Sequence, residues 1–467
     1  MKYRMLTILL ALPGLVACSA DMSTTNKVAS GNVYAITNVT IVDVEKGITV
    51  PTQTVIIVGD QIDQIGLQGR IEIPQGATII DGQGLYLMPG LVDAHVHYFD
   101  APVFGRLMIA NGVLLVRDMG MPNEYILKLR DELNRGEMLG PEMFATGVIL
   151  DGYPPLIPLI SSGIQTSEEG RAAVRQQAEA GVDMIKTYSR LDRDVFMAIL
   201  DEAHHLDLKV AAHLPETVYL EDAAAAGLDS SEHFNGFEKV IAKLLGEPVR
   251  LYFAGQGADA DYLARLDEVD PDELQAVYHR LHVSGITICP TVVTFKTLTH
   301  IKAILNGSVP RNEYISQGVM DLWKSLWPSQ DDLPDFIWQN WVQIVRGLNE
   351  NEVPLMVGTD LILPGVLPGY SVHEEMAIWQ EAGILPADVL RSATLVPARF
   401  MGLGDRLGSV RVGKIASIVL VRADPLEDIR NAQQIEGVFL RGRYFSQKDL
   451  DQLLVGAKDL AQHPASP

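Results

Sequence analysis

Cysteine is nearly missing from this chain of 467 residues: Cys18 and Cys289 are the only two. That excludes a disulfide-framed scaffold, so stability must come from a large buried core. Basic residues are scarce, 37 against 59 acidic ones, for a net charge of −22. This argues against nucleic acid as a partner, because phosphate binding needs clustered Lys and Arg. Beyond the first twenty residues there is no run of 18 or more apolar residues, so no later segment is expected to span a membrane. A Gly-rich phosphate turn, an internal repeat and a low-complexity segment are all lacking as well. What is present is 47% hydrophobic and 21% charged residues, the balance of a globular protein. The length suits a large barrel plus a second module.

At the start, Lys2 and Arg4 flank an apolar run from Met5 to Ala17. A bilayer core needs ~20 helical residues, so this shorter run reads as a signal peptide over residues 1–17. The ending Leu15-Val16-Ala17-Cys18 resembles a bacterial lipoprotein box. That resemblance implies cleavage before Cys18 and a diacylglyceryl group on its thiol. Ser19 in place of Asp leans towards the outer membrane. The expectation is a periplasmic protein touching a membrane through its lipid anchor alone, with residues 18–31 as a tether. The alternative is an ordinary secretory peptide with an incidental Cys. Cys289, left without an intramolecular partner, reads as a small buried apolar residue rather than a nucleophile.

Residues 32–85 show short alternating runs with Gly and Pro punctuation, which predicts small antiparallel strands. From 86 to 401 buried-looking strands alternate with helical stretches. The strand candidates are Leu91–His97, Val113–Asp118, Met143–Leu150, Met184–Tyr188, Lys209–His213, Ser230–His233, Thr287–Val292 and Leu355–Asp360. Helices are expected at Arg171–Ala180, Asp194–His205 and Pro271–Val283. Eight such alternations predict an α/β fold, a (β/α)8 TIM barrel. The short-strand texture returns over 402–447, so both chain ends are expected to form one small β-sandwich. Residues 448–467 read as a final helix and tail.

The strongest chemical signal is Asp93-Ala-His95-Val-His97. On a strand, i and i+2 point to one side, so two imidazoles converge. Lys186, His213, His233 and Asp360 end later strands. Their spacings correspond to about three, one, one short and two-plus strand–helix units of ~30 residues. All six therefore fall on the C-terminal face, where barrel active sites are built.

These pieces resemble the amidohydrolase superfamily, in particular its imidazolonepropionase-like and prolidase-like (Xaa-Pro dipeptidase) branch. The matching motifs are Pro89-Gly-Leu-Val-Asp-Ala-His-Val-His97, Val116-Arg-Asp-Met-Gly120, Met184-Ile-Lys-Thr-Tyr188, Ser231-Glu-His233, Gly358-Thr-Asp360, Ala393-Thr-Leu-Val-Pro-Ala398 and Gly408-Ser-Val-Arg-Val-Gly-Lys-Ile-Ala-Ser417. Coverage runs from about Asn32 to Gly442. Ser417 departs from the Asp usual in the family. The resemblance implies two divalent metal ions, usually zinc. His95, His97 and Asp360 would hold the buried ion and His213 and His233 the exposed one. Lys186 would bridge both as a CO2-derived carbamate. A free ammonium has no lone pair and would repel two dications, whereas a carbamate is an anionic bridge. Two ions ~3.5–4 Å apart lower the pKa of a bridging water and polarise a carbonyl. Asp360 would then carry the proton from the attacking hydroxide to the leaving amine.

Substrate contacts are less determined. Tyr188 shares a strand face with Lys186 and is a candidate hydrogen-bond donor to a substrate carbonyl, with barrel-top packing as the alternative. His373 follows the eighth-strand loop and either approaches the substrate or starts a helix. His204, His205, His279 and His282 read as helix-surface or packing residues; His300 and His463 have no evident partner. The aromatic stretch 295–345 is expected to form a helical lid. Arg311 and Arg346 are the cations considered for a substrate carboxylate. The expected function is hydrolysis of a dipeptide or N-acyl amino acid, a small-molecule substrate. The alternative is a mononuclear zinc deaminase or cyclic-amide hydrolase, motivated by Glu216 three residues after His213. A metal-bearing binding lipoprotein without turnover is a third possibility, which would have no use for Asp360 as proton carrier. Homo-oligomerisation stays open.

Overall fold

The computed structural model describes residues 32–248, 262–327, 331–361 and 363–463. The expected signal peptide, Cys18 and the expected tether through residue 31 lie outside the described residues. Among the described residues no helix is long and apolar enough to cross a membrane.

Both chain ends share one eight-stranded sheet. From the N-terminal side come β1 (Val33–Asp43), β2 (Ile48–Val58), β3 (Gln61–Leu67), β4 (Thr78–Asp81) and β5 (Tyr86–Pro89). Three parallel strands follow as a separate sheet, β6 (Leu91–Val96), β7 (Val113–Asp118) and β8 (Glu142–Ala145). A six-stranded parallel sheet contains β9 (Ile149–Gly152), β10 (Ser161–Ile164), β11 (Ile185–Thr187), β12 (Val210–Ala212), β13 (Ser230–Glu232) and β14 (Thr287–Cys289). The C-terminal side returns β15 (Ile418–Val421), β16 (Ile435–Leu440) and β17 (Arg443–Ser446) to the first sheet, where β15 pairs β5.

Three expectations need correction. The N-terminal strands are not all antiparallel: β1 pairs β2 antiparallel but pairs β4 and β5 parallel. The shift is possible because β1 is irregular between Ile36 and Ile41, so its two halves take different partners. The expected strand Met143–Leu150 is two strands, β8 and β9, broken at Thr146–Val148. Gly147 has φ +67°, a left-handed conformation that ends a strand and suits glycine.

The two parallel sheets are linked by backbone hydrogen bonds on both sides. Asp183 N donates to Ala145 O at 2.9 Å, joining the approach to β11 with β8. On the other side comes the third correction: the expected strand Leu355–Asp360 is not a strand, because Asp360 takes a positive φ of 54°, and residues 355–361 form only bridges, Ile288 with Leu355 and Val96 with Leu361. Through them the end of β14 meets β6. Helices Ser167–Ala180, Arg193–His205 and Pro271–Ser284 lie at the expected places. The first is held by a reciprocal cap between Thr166 and Glu169. The final helix, Gln447–Gln462, packs on helix Ala101–Ala110.

The eight-stranded sheet has its own apolar core, in which Ile36, Val55, Ile57, Leu87, Ile418 and Phe439 meet. Its two ends are pinned at one point. The β16–β17 hairpin turns through Arg441 and Gly442, both with positive φ, as a two-residue hairpin loop requires. A Cβ on Gly442 would sit 1.9 Å from the carbonyl oxygen of Gly59, in the β2–β3 turn. Gly442→Ala is therefore expected to destabilise the protein by more than about 1 kcal/mol. Chemical denaturation should show a lowered midpoint; an unchanged midpoint would mean that the two turns are not in contact.

Candidate metal centre

Strand β6 carries His95, and His97 follows directly after its last residue, Val96; the two ring centroids lie 5.7 Å apart. Gly358 allows the returning segment to press against that strand, since a Cβ there would lie 3.0 Å from His95 Cβ and 2.5 Å from Cys289 Sγ. This brings Asp360 to the imidazoles. Its Oδ1 lies 3.4 Å from His95 Nε2 and 3.6 Å from His97 Nε2, and its Oδ2 lies 3.9 Å from His233 Nδ1. The His233 ring centroid is 4.7 Å from that of His95 and 5.4 Å from that of His213. Lys186, in β11, is opposite Ala211 of β12, two residues before His213. It is 1% exposed, and among the described residues its Nζ has no hydrogen-bond partner. The structure thus gathers five of the six expected residues in a chain of close contacts. The sixth, Lys186, is buried where its charge interacts with those of Glu232 and Asp360.

The backbone is strained where the ligands turn inward. His233, Asp360 and Thr291 have φ of 56°, 54° and 49°, and none is glycine. Such conformations cost on the order of 1–3 kcal/mol each and persist only where the surroundings impose them.

Each imidazole has one nitrogen fixed from outside. His95 Nδ1 meets Glu232 Oε2 at 2.8 Å, and His97 Nδ1 donates to Gly120 O at 2.9 Å. His213 Nδ1 meets Ser189 Oγ at 2.7 Å, and His233 Nδ1 meets Thr291 Oγ1 at 2.8 Å. A proton held at Nδ1 leaves Nε2 with its lone pair, the form that binds a cation. Glu232 is in turn gripped by the fully buried Arg117, whose Nη2 donates to its Oε2 at 2.8 Å, and by Ser230 Oγ at 2.5 Å. Asp93 accepts from Thr359 N and Oγ1 at 3.0 and 2.6 Å and so holds the segment that carries Asp360.

Glu232, Arg117, Ser189 and Thr291 carry no role in the sequence reading. The usable signal was charge inside apolar strands: Arg117 ends the run Val113-Leu-Leu-Val, and Glu232 lies between Ser231 and His233. Arg and Glu are almost never fully buried unless paired. Ser189 and Thr291 leave no comparable mark.

Charge follows this geometry. Burial pulls the His95 imidazole down to about 3, and His213 and His233 also fall. His97 is raised, because the Asp360 carboxylate outweighs its burial. Burial also lowers the Lys186 amine to about 8. Burial would raise Glu232, but Arg117 and His95 hold it well below the usual carboxylate range. Cys289 is buried in β14 and its thiol is pushed well up by burial, as an inert apolar residue would be.

Of the expected substrate residues, Tyr188 sits at the cluster, its ring centroid 4.3 Å from that of His213. His373 does not. It lies within helix Tyr370–Glu381, is 2% exposed, and its Nε2 meets the carbonyl of Asn111 at 2.9 Å. Asn111 precedes the N-terminal end of β7, opposite the end that carries Asp118. The helix takes the ring away from the site, so its expected approach to substrate is replaced by a structural bond. The described residues of stretch 295–345 include helices Val292–Leu298, Ile301–Leu305, Gln317–Leu326 and Phe336–Glu350. Trp341 of the last stacks on Phe234, next to His233, at 4.2 Å. Arg311 lies 3.5 Å from Glu374 and over the ring of Tyr370; Arg346 pairs with Glu350.

Residues 86–444 match the amidohydrolase family. The chain belongs to that family. It is similar to a bottromycin amidohydrolase, 23% identical, over 92% of this chain and 90% of the other, with TM-score 0.74. It is also similar to a Xaa-Pro dipeptidase solved with methionine bound in its active site, 19% identical, over 89% of this chain and 100% of the other, with TM-score 0.64. These likenesses show the fold. A dihydroorotase from Bacillus licheniformis is 43% identical over 65 residues, a match spanning only 14% of each chain. Amidohydrolases are usually metal-dependent. The residues here fit such a group: His95, His233 and Asp360 each offer a ligand atom within 4.8 Å of the others, and the Lys186 amine is buried without a partner beside them. Imidazole and carboxylate together suit zinc and neighbouring divalent ions.

Proposed function

We propose that this amidohydrolase is a binuclear metal-dependent hydrolase that cleaves the amide bond of a dipeptide, Xaa-Pro-like, or of an N-acyl amino acid. The frame would be a (β/α)8 barrel, for which the support is the backbone bond from Asp183 to β8 and the bonds of residues 354–361 with β14 on one side and β6 on the other. The observation that carries the function is the convergence of His95, His97, His213, His233 and Asp360 beside a buried, unpartnered Lys186 amine.

His95, His97 and Asp360 would hold one divalent ion and His213 and His233 the other, with Lys186 bridging as a carbamate. When bound, such a pair lowers the pKa of water and polarises the scissile carbonyl. The chain's own groups do the rest. Asp360 accepts a proton from the attacking water and delivers it to the nitrogen of the breaking C–N bond, so a carboxylate and an amine leave. Glu232, Gly120, Ser189 and Thr291 keep the four imidazoles oriented. Tyr188 is placed to donate to a substrate carbonyl beside His213.

A second reading, a single-ion deaminase or cyclic-amide hydrolase, has one observation in its favour. Glu216 N donates to Ser189 O at 3.0 Å, and Ser189 Oγ holds His213. The test is a panel of Xaa-Pro and other dipeptides and N-acyl amino acids, assayed for released amine, beside heterocycles assayed for ammonia and cyclic amides assayed for ring opening. Turnover confined to the open-chain amides is expected; turnover confined to the heterocycles or cyclic amides would replace this proposal with the second reading. A chelator should abolish the activity, and divalent zinc should restore it.

A further inference from the structure

His233 is held twice by the segment that leaves β14. Its N donates to Cys289 O at 2.8 Å, and its Nδ1 meets Thr291 Oγ1 at 2.8 Å. Thr291 is also the residue that precedes helix Val292–Leu298. A threonine there ordinarily accepts, through its hydroxyl, from an N–H of the first turn, which has no partner inside the helix. Thr291 makes no such bond. Its φ of 49° is a conformation that β-branched residues rarely adopt, and its Oγ1 faces the imidazole instead.

The first turn is capped from another helix. Glu375, in helix Tyr370–Glu381, accepts from Val292 N at 2.9 Å through Oε1 and from Val293 N at 2.6 Å through Oε2. Trp379 Nε1, one turn on, donates to the same Oε1 at 2.9 Å. The carboxylate is fully buried. Burial pushes its pKa up to about 7, while the three N–H groups favour the ionised form, the one with two free acceptor oxygens. Burying a carboxylate is costly unless donors are aimed at it, and here two of the three belong to the backbone that follows Thr291.

We propose that Glu375 is a positioning residue for the metal centre: it caps helix Val292–Leu298 in place of Thr291 and so leaves the Thr291 hydroxyl to hold His233. The inference rests on the metal-dependent reading above and adds to it a residue that acts through Thr291. Glu375→Gln keeps the shape of the side chain but leaves one acceptor oxygen, so one of the two backbone N–H groups loses its partner. The Thr291 hydroxyl then turns to cap its own helix, and the His233 ring loses the contact that orients it.

The experiment is zinc retention by the purified full chain against a graded chelator, read by elemental mass spectrometry, with the urea midpoint measured on the same samples. His233→Ala identifies the ion that His233 holds. Glu375→Gln and Thr291→Val should each weaken that ion about 10-fold, the low end for groups that orient a ligand, and the double variant should be no weaker than either single one. Trp379→Phe removes the third donor and leaves both backbone bonds; it should lower the urea midpoint and leave zinc retention unchanged. Unchanged retention in Glu375→Gln or in Thr291→Val, additive losses in the double variant, or an equal loss in Trp379→Phe would overturn the positioning role while leaving the metal-dependent reading intact. Unchanged retention in His233→Ala would remove His233 from the metal centre and overturn both.

Discussion

Asp360→Asn is expected to lower kcat by about 10²- to 10⁴-fold on whichever amide the wild type cleaves, the range that proton transfer by a positioned group contributes. The substitution keeps the shape of the side chain and one oxygen towards His95 and His97. It removes the group proposed to accept a proton from water and return it to the leaving nitrogen. The backbone at 360 should persist, because φ of 54° is tolerated by Asn as readily as by Asp. Circular dichroism and the urea midpoint should therefore stay near those of the wild type. Activity within about threefold of the wild type would show that another group moves the proton.

Arg117→Met is expected to be the most destabilising single change near the site. Arg117 and Glu232 are both fully buried, and 2.8 Å separates Nη2 from Oε2. Deleting one member of a buried pair leaves an uncompensated charge and costs about 3–5 kcal/mol. The sign of the pH dependence follows from the pair. In the wild type Arg117 helps to hold the Glu232 pKa below its unfolded value, so the stabilisation is present at neutral pH and lost in acid. Without Arg117 burial dominates and raises the carboxylate, so the variant carries its largest penalty at neutral pH. The gap between wild type and variant should narrow as pH falls from 8 towards 5. Urea midpoints at the two pH values check this, and a constant gap would mean that Glu232 stays ionised without its partner.

Much of the candidate site is legible in the sequence, because metal chemistry needs particular residue types at strand ends. His-x-His on a strand and Asp after a Gly-Thr turn leave a local mark, and the ~30-residue period placed Lys186, His213 and His233 on the same face. The helices were legible too: Thr166 and Glu169 cap Ser167–Ala180, and Pro271 opens Pro271–Ser284. The groups that orient the imidazoles were not legible. Ser189 and Thr291 are ordinary polar residues, and only contacts between distant segments give them work. His373 misled for the same reason in reverse: its sequence position after the eighth-strand loop said nothing about which way its helix carries the ring. Strand direction at β1 was also out of reach, since a shift inside one long strand decides which partners run parallel. The Met143–Leu150 run looked continuous because only the conformation at Gly147 breaks it.

Everything proposed for the chemistry depends on a pair of cations shared through the side chain at position 186. The direct measurement is the metal content of purified wild type and Lys186→Ala by elemental mass spectrometry, at matched protein concentration. About two ions per chain in the wild type and about one in the variant, with the second ion and part of the activity returning on addition of a short carboxylic acid, is the predicted result. One ion per chain in both proteins, or two in both, would contradict it.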